Sequence, residues 1–175
     1  MRALPWLIVF CLALAAPTLA ATAWTAFKSE DGRFQILLPG APTTDNDATE
    51  GAAQVHDMVF DLGTGGVYRL KVTDHPAGWG DERPKGERLQ ELQDQLMAGM
   101  PGAQILSAKT ITQGEWQGRT FSFSTDGGKL VHRARLYLVG DRLYFLDAAV
   151  AASAAKGKTA VGVARFLASF KILKK

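Results

Sequence analysis

Between residues 130 and 150 the chain specifies a β-hairpin together with its register. Leu130 to Val139 and Arg142 to Val150 flank the pair Gly140-Asp141. A two-residue loop with glycine first has the pattern of a II′ turn, whose twist matches the strands it joins. Val139 therefore faces Arg142, and Tyr137 lies across from Tyr144. Side chains alternate along a strand, so Arg133, Arg135, Tyr137, Tyr144 and Leu146 share one face, and Leu136, Leu138, Leu143 and Phe145 share the other. The aliphatic face is expected to be core. The aromatic and basic one is expected to be only half covered.

The rest of the chain supplies strands and helices to go with this hairpin. Upstream, residues 115–117 are expected to lead over Gly118 into a strand at residues 119–124, a first hairpin closed off by the turn signal Thr125-Asp126-Gly127-Gly128. Phe34, Ile36 and Leu38 mark a strand ended by Pro39-Gly40. Residues 54–62 and 67–73 form another antiparallel pair about Gly63-Thr64-Gly65-Gly66, and residues 105–112 form a further strand. Residues 41–52, rich in Thr, Asp and Asn, are expected to be a surface loop. A long helix starts near Pro84 and stops at Gly99. Its stripe is Leu89, Leu92, Leu96, Met97 and Met100, with Gln90, Glu91, Gln93, Asp94 and Gln95 on the wet side. A closing helix from about Lys158 aligns Val163, Phe166, Leu167 and Phe170. These elements predict one α+β domain over residues 24–175, a twisted antiparallel sheet with helices packed on it.

Residues 1–23 belong to an address rather than to that domain. Arg2, an apolar run over residues 4–16 and the small residues ending Thr18-Leu19-Ala20 or Ala21-Thr22-Ala23 have the form of a secretory signal peptide, cleaved after Ala20 or Ala23. The run is short for a membrane span, which needs roughly 20 residues, and an uncleaved anchor is the alternative. Cys11, the one cysteine of the 175 residues, lies inside that run, preceded by Ile8-Val9-Phe10 rather than by the small residues of a lipid-anchor site. Cleavage leaves a cysteine-free domain, periplasmic or secreted, without disulfides or thiolate metal sites. It also removes Arg2, lowering the net charge from +3 to +2. The positive residues are dispersed, which argues against nucleic acid as a partner. No stable membrane insertion is expected after cleavage.

Four motifs carry a resemblance. They are Phe34, Ile36, Pro39, Gly40 and Pro42; Gly114, Gly118, Arg119 and Phe121; Arg135, Tyr137, Gly140, Arg142 and Tyr144; and Arg165, Phe166, Leu167, Ser169 and Phe170. Together they resemble a pattern in small exported bacterial proteins of unassigned role and the PsbP-like α/β/α fold, known from an extrinsic subunit of the oxygen-evolving complex and from a nuclear-import factor that binds the Ran GTPase. The motifs are turn glycines, core aromatics and a helix stripe, so they speak to fold. The resemblance implies binding and assembly rather than catalysis.

Reactive constellations are sparse. His56 lies on an apolar strand face, His75 follows Asp74 in a loop, and His132 lies diagonal to Asp147 across the hairpin. Without close ligand spacing these predict no metal centre, with His75 and Asp74 the nearest approach to one. Ser122 and Ser124 lack a Gly-x-Ser-x-Gly elbow. Gly63 to Gly66 lacks the lysine and following helix of a phosphate loop. The candidate binding face is Arg133, Arg135, Tyr137, Arg142 and Tyr144, where two cationic forks beside two phenols would suit an anionic small ligand or an acidic envelope partner. The alternative is that a helix covers this face and the Arg stems lie over apolar neighbours. The expected function is a non-catalytic binding or assembly module without a cofactor. The alternative is a periplasmic metal-handling protein using His and Asp ligands.

Overall fold

The computed structural model describes residues 24–174. The expected signal peptide, its two cleavage points and Cys11 lie outside the described residues. Seven antiparallel strands form the main sheet: β3 (Thr44–Glu50), β4 (Ala53–Asp61), β5 (Val67–Asp74), β6 (Gln104–Gln113), β7 (Trp116–Thr125), β8 (Leu130–Val139) and β9 (Arg142–Ala151). Their order across the sheet is β3-β4-β5-β9-β8-β7-β6. Three shorter strands, β1 (Thr25–Lys28), β2 (Phe34–Leu38) and β10 (Lys171–Ile172), make a second small sheet in the order β1-β2-β10. Helix α1 (Lys85–Ala98) and helix α2 (Lys158–Ser169) complete the fold. This is the α+β architecture expected.

The hairpin register is the one its turn dictates. Gly140 has φ 58, its neighbour Asp141 has no positive φ, and Val139 pairs with Arg142 and Tyr137 with Tyr144. The expected half-covered sheet is corrected: both faces are buried over residues 134–138 of β8 and 144–148 of β9. On one face Leu136, Leu138 and Phe145 pack with Phe121 and Phe123 beneath the Leu89 stripe of α1. On the other, Tyr137 and Tyr144, only 2% and 1% exposed, pack with Tyr68, Leu70 and Leu146 beneath Val163, Phe166, Leu167 and Phe170 of the α2 segment. The small sheet adds Phe34, Ile36 and Leu38 to this second core. A tyrosine ring packs like other aromatics, as Tyr137 and Tyr144 do against Phe170, so the aromatic face is a second interior.

Three local expectations also change. Residues 41–52 contain β3, an edge strand exposed at every position. With neither face covered it has no apolar alternation to announce it. Gly118 lies inside β7 rather than at a turn, because its missing side chain makes room for the Tyr137 ring: a Cβ there would come 2.5 Å from Tyr137 Cδ1. Gln93, placed on the wet side of α1, is buried, and its carbonyl oxygen accepts from Arg119 Nε at 2.6 Å.

Candidate functional site

Arg142 is the first residue of β9, and the hairpin twist turns its side chain toward the small sheet. Directly across in register stands Asp74, the last residue of β5. Its carboxylate accepts from Arg142 Nε and Nη2, both at 2.6 Å, in the fork geometry that suits guanidinium and carboxylate. Arg142 Nη1 donates to Asp31, in the turn between β1 and β2. Burial alone would raise the Asp31 pKa, but hydrogen bonds from Arg142 and the Arg33 backbone outweigh it and hold the carboxyl at about 2. Arg142 is likewise opposed by burial and rescued by Asp74, Asp31 and Tyr144, so its pKa rises. The three groups tie the β1–β2 hairpin to the main sheet.

A recess lies on either side of this knot. One, about 610 Å³, has Phe27, Phe34, Met58 and Val72 among its apolar lining, and Glu30, Asp31, Asp45, Asp47, Asp74 and His56 among its polar groups. Asp45 and Asp47 stand opposite Met58 and His56 in the β3–β4 register, so all four side chains share the recess face. His56 bonds Asp47 through Nδ1 at 2.8 Å and lies 3.4 Å from Asp45 through Nε2. The other recess, about 340 Å³, lies between Arg33, Trp116, Tyr144 and Lys174. Lys174 pairs with Glu115 at 3.0 Å.

The five residues of the candidate binding face do not form one open surface. Arg133 is exposed, but Tyr137 and Tyr144 are interior. Arg135 Nη1 donates to the Leu167 carbonyl at 2.8 Å, serving the last turn of α2. Arg142 is occupied by its two aspartates. Helix α2 covers the face, which is the alternative weighed from the sequence.

The histidines occupy three separate settings. His75 stacks on Trp79 with centroids 3.5 Å apart, and burial followed by the Arg88 charge lowers its pKa. Its neighbour Asp74 has given its carboxylate to Arg142, so the two do not point at a common ion. His132 Nδ1 bonds Asp147 at 2.9 Å, the expected diagonal pair, and its Nε2 lies 3.1 Å from Thr125 Oγ1. This is the connectivity of a carboxylate, an imidazole and a hydroxyl, yet neither recess is lined by these residues. Ser122 bonds Ser107 at 2.8 Å, and residues 63–65 form a hairpin turn between β4 and β5. Among the described residues no group of three or more His, Cys, Asp or Glu side chains is placed to hold a metal. None of their helices is long and apolar enough to cross a membrane.

Sequence reasoning missed Glu30, Asp31, Asp45 and Asp47. The first two read as turn residues and the last two as a loop, and only the knot and the β3 pairing bring them together.

No family model matches the chain, and no curated protein sequence matches it. Among solved structures it is similar to cyanobacterial PsbP (CyanoP) from Synechocystis sp. PCC 6803, with 12% identity, 91% of this chain and 98% of that chain covered, and a TM-score of 0.61. Weaker likenesses are to PA94 from Pseudomonas aeruginosa, a protein of unknown function and putative regulator (7% identity, 75% and 85% covered, TM-score 0.46), and to the Saccharomyces cerevisiae Ran-binding protein Mog1p (13% identity, 86% and 96% covered, TM-score 0.44). The chain therefore has the PsbP-like fold, and at this level of identity the likeness is one of fold.

Proposed function

We propose that the chain is exported and acts as a non-catalytic binding or assembly module, with the recess beside Arg142 as its docking site. The observation that supports this reading most directly is the state of the polar groups there. Ser29, the hydroxyl in the recess, accepts from the Arg33 and Phe34 backbone amides at 3.0 Å each and donates to the Phe34 carbonyl. Arg142 is saturated by carboxylates. A site built for nucleophilic chemistry needs a hydroxyl or thiol freed and aimed by a base, whereas here the hydroxyl is spent on a turn. What is left is a concave surface with an apolar floor and a polar rim, the form of a recognition site.

Two measurements test the reading. N-terminal sequencing of the protein from the cell envelope is expected to find Ala21 or Trp24 first, and an intact Met1 form held in the membrane overturns cleavage and release. The form spanning residues 24–175, assayed against a panel of ester, phosphoester and peptide substrates, is expected to show no turnover. Turnover that His132→Ala or Ser29→Ala abolishes would replace the binding module with an enzyme.

A further inference from the structure

We infer that the free edge of β3 takes up an extended, lysine- or arginine-bearing segment of another protein as an added strand, with alternate basic side chains directed into the recess. This rests on the module reading above and names the partner chemistry of the same site. Among the described residues β3 ends the sheet: it pairs with β4 along one edge, and the other carries the unpaired backbone groups of Thr44–Glu50. A strand docking there lies about 4.8 Å away and alternates its side chains in step with β3. Every second side chain then falls beside Asp45 and Asp47, on the recess face.

The charges on that face say what the segment carries. Arg142 is neutralised by Asp31 and Asp74, while Glu30 makes no ion pair among the described residues. Among the described residues Asp45 and Asp47 form ion pairs only with His56, and their side chains are 51% and 88% exposed. A basic side chain suits both parts of such a groove, its stem against the half-buried Phe27 and its charged head among the carboxylates. A second copy of the chain fits poorly. Antiparallel β3 strands would oppose acidic edges, and β3 against the opposite edge strand β6 is a head-to-tail contact, which builds rings or filaments rather than a two-fold pair. Against aggregation alone, acidic residues on an edge strand suffice; the adjoining recess with its apolar lining is what the added-strand reading accounts for.

The test uses the form spanning residues 24–175 and a short, fluorescently labelled peptide of alternating Lys and Thr, followed by anisotropy. Saturable binding is expected, weakened about tenfold or more by the pair Asp45→Asn and Asp47→Asn. The pair Glu87→Gln and Asp126→Asn, which removes the same charge on other surfaces, is expected to leave binding unchanged. A peptide of the same sequence N-methylated at consecutive amides, so that both of its edges are blocked, is expected to lose binding, because it cannot complete the ladder. Equal weakening by both acid pairs, full binding by the N-methylated peptide, or no binding at all overturns the proposal. Thermal melts of both variants, whose substituted carboxylates are exposed, verify that the fold is intact. Should envelope partners be captured equally by the Asn pair and the unaltered protein, this site is lost while the module reading stands. Turnover in the substrate panel would end that reading and leave the peptide result as measured.

Discussion

Gly118 has no room for a methyl group, and the constraint comes from contact rather than from backbone torsion. A Cβ there would also meet the Leu136 carbonyl oxygen at 2.7 Å, so neither neighbour can yield without moving β8. Gly118→Ala is expected to destabilise the protein by about 1–3 kcal/mol, the usual penalty of overpacking, measured by urea unfolding. Asp31 offers a test of electrostatics. Its folded pKa is about 2 against an ordinary 3.8, so its contribution is complete above the ordinary value and disappears as pH falls through about 2. Unfolding followed from pH 6 down to about 2 should show a steeper loss of stability in the unaltered protein than in Asp31→Asn, which lacks this carboxyl. Equal slopes would mean that Arg142 does not hold Asp31 as described. Neither residue's role was visible in the sequence. Gly118 reads as a turn glycine until Tyr137 is found above it, and Asp31 reads as part of Glu30-Asp31-Gly32 until Arg142 is brought to it from across the chain.

The elements differ in how openly they announce themselves. Helix α2 shows Val163, Phe166, Leu167 and Phe170 at helical spacing because it packs on one side only, and the expected stripe is the buried one. Phe166 is fully buried and meets the Tyr68 ring edge-on at 5.2 Å. Phe166→Ala should cost about 3–5 kcal/mol in chemical denaturation, whereas Arg133→Ala, at an exposed position of the former candidate face, should change stability by about 0.5 kcal/mol or less. A large effect at Arg133 would mean that the face is not divided between interior and surface as described. Strand β3 is the opposite case. Its composition is that of a loop, Thr-Asp-Asn-Asp-Ala-Thr-Glu, and it is extended because β4 offers it a ladder of backbone partners.

At the scale of the whole molecule, one sheet separates two interiors, and the small sheet closes the larger of them. The tip of the central hairpin is fixed as well: the Asp141 carboxylate accepts from the Gly80 and Gly78 amides at 2.8 and 3.1 Å, which lowers its pKa. Central β8 and β9, paired on both edges and covered on both faces over residues 134–138 and 144–148, should give the slowest amide hydrogen exchange there, and β3 and β6 the fastest among the strands. Protection of β3 that rises when the Lys-Thr peptide is added would localise the docked strand. The sequence by itself determined the hairpin register, the helix stripes and the α+β class, since turn torsion and side-chain periodicity are local properties of the chain. Only the tertiary structure decided that the aromatic face is interior and that Asp31, Asp74 and Arg142 form one knot. It also decided that an acidic stretch becomes the open edge of a recess, because each of these depends on partners that lie far away along the chain.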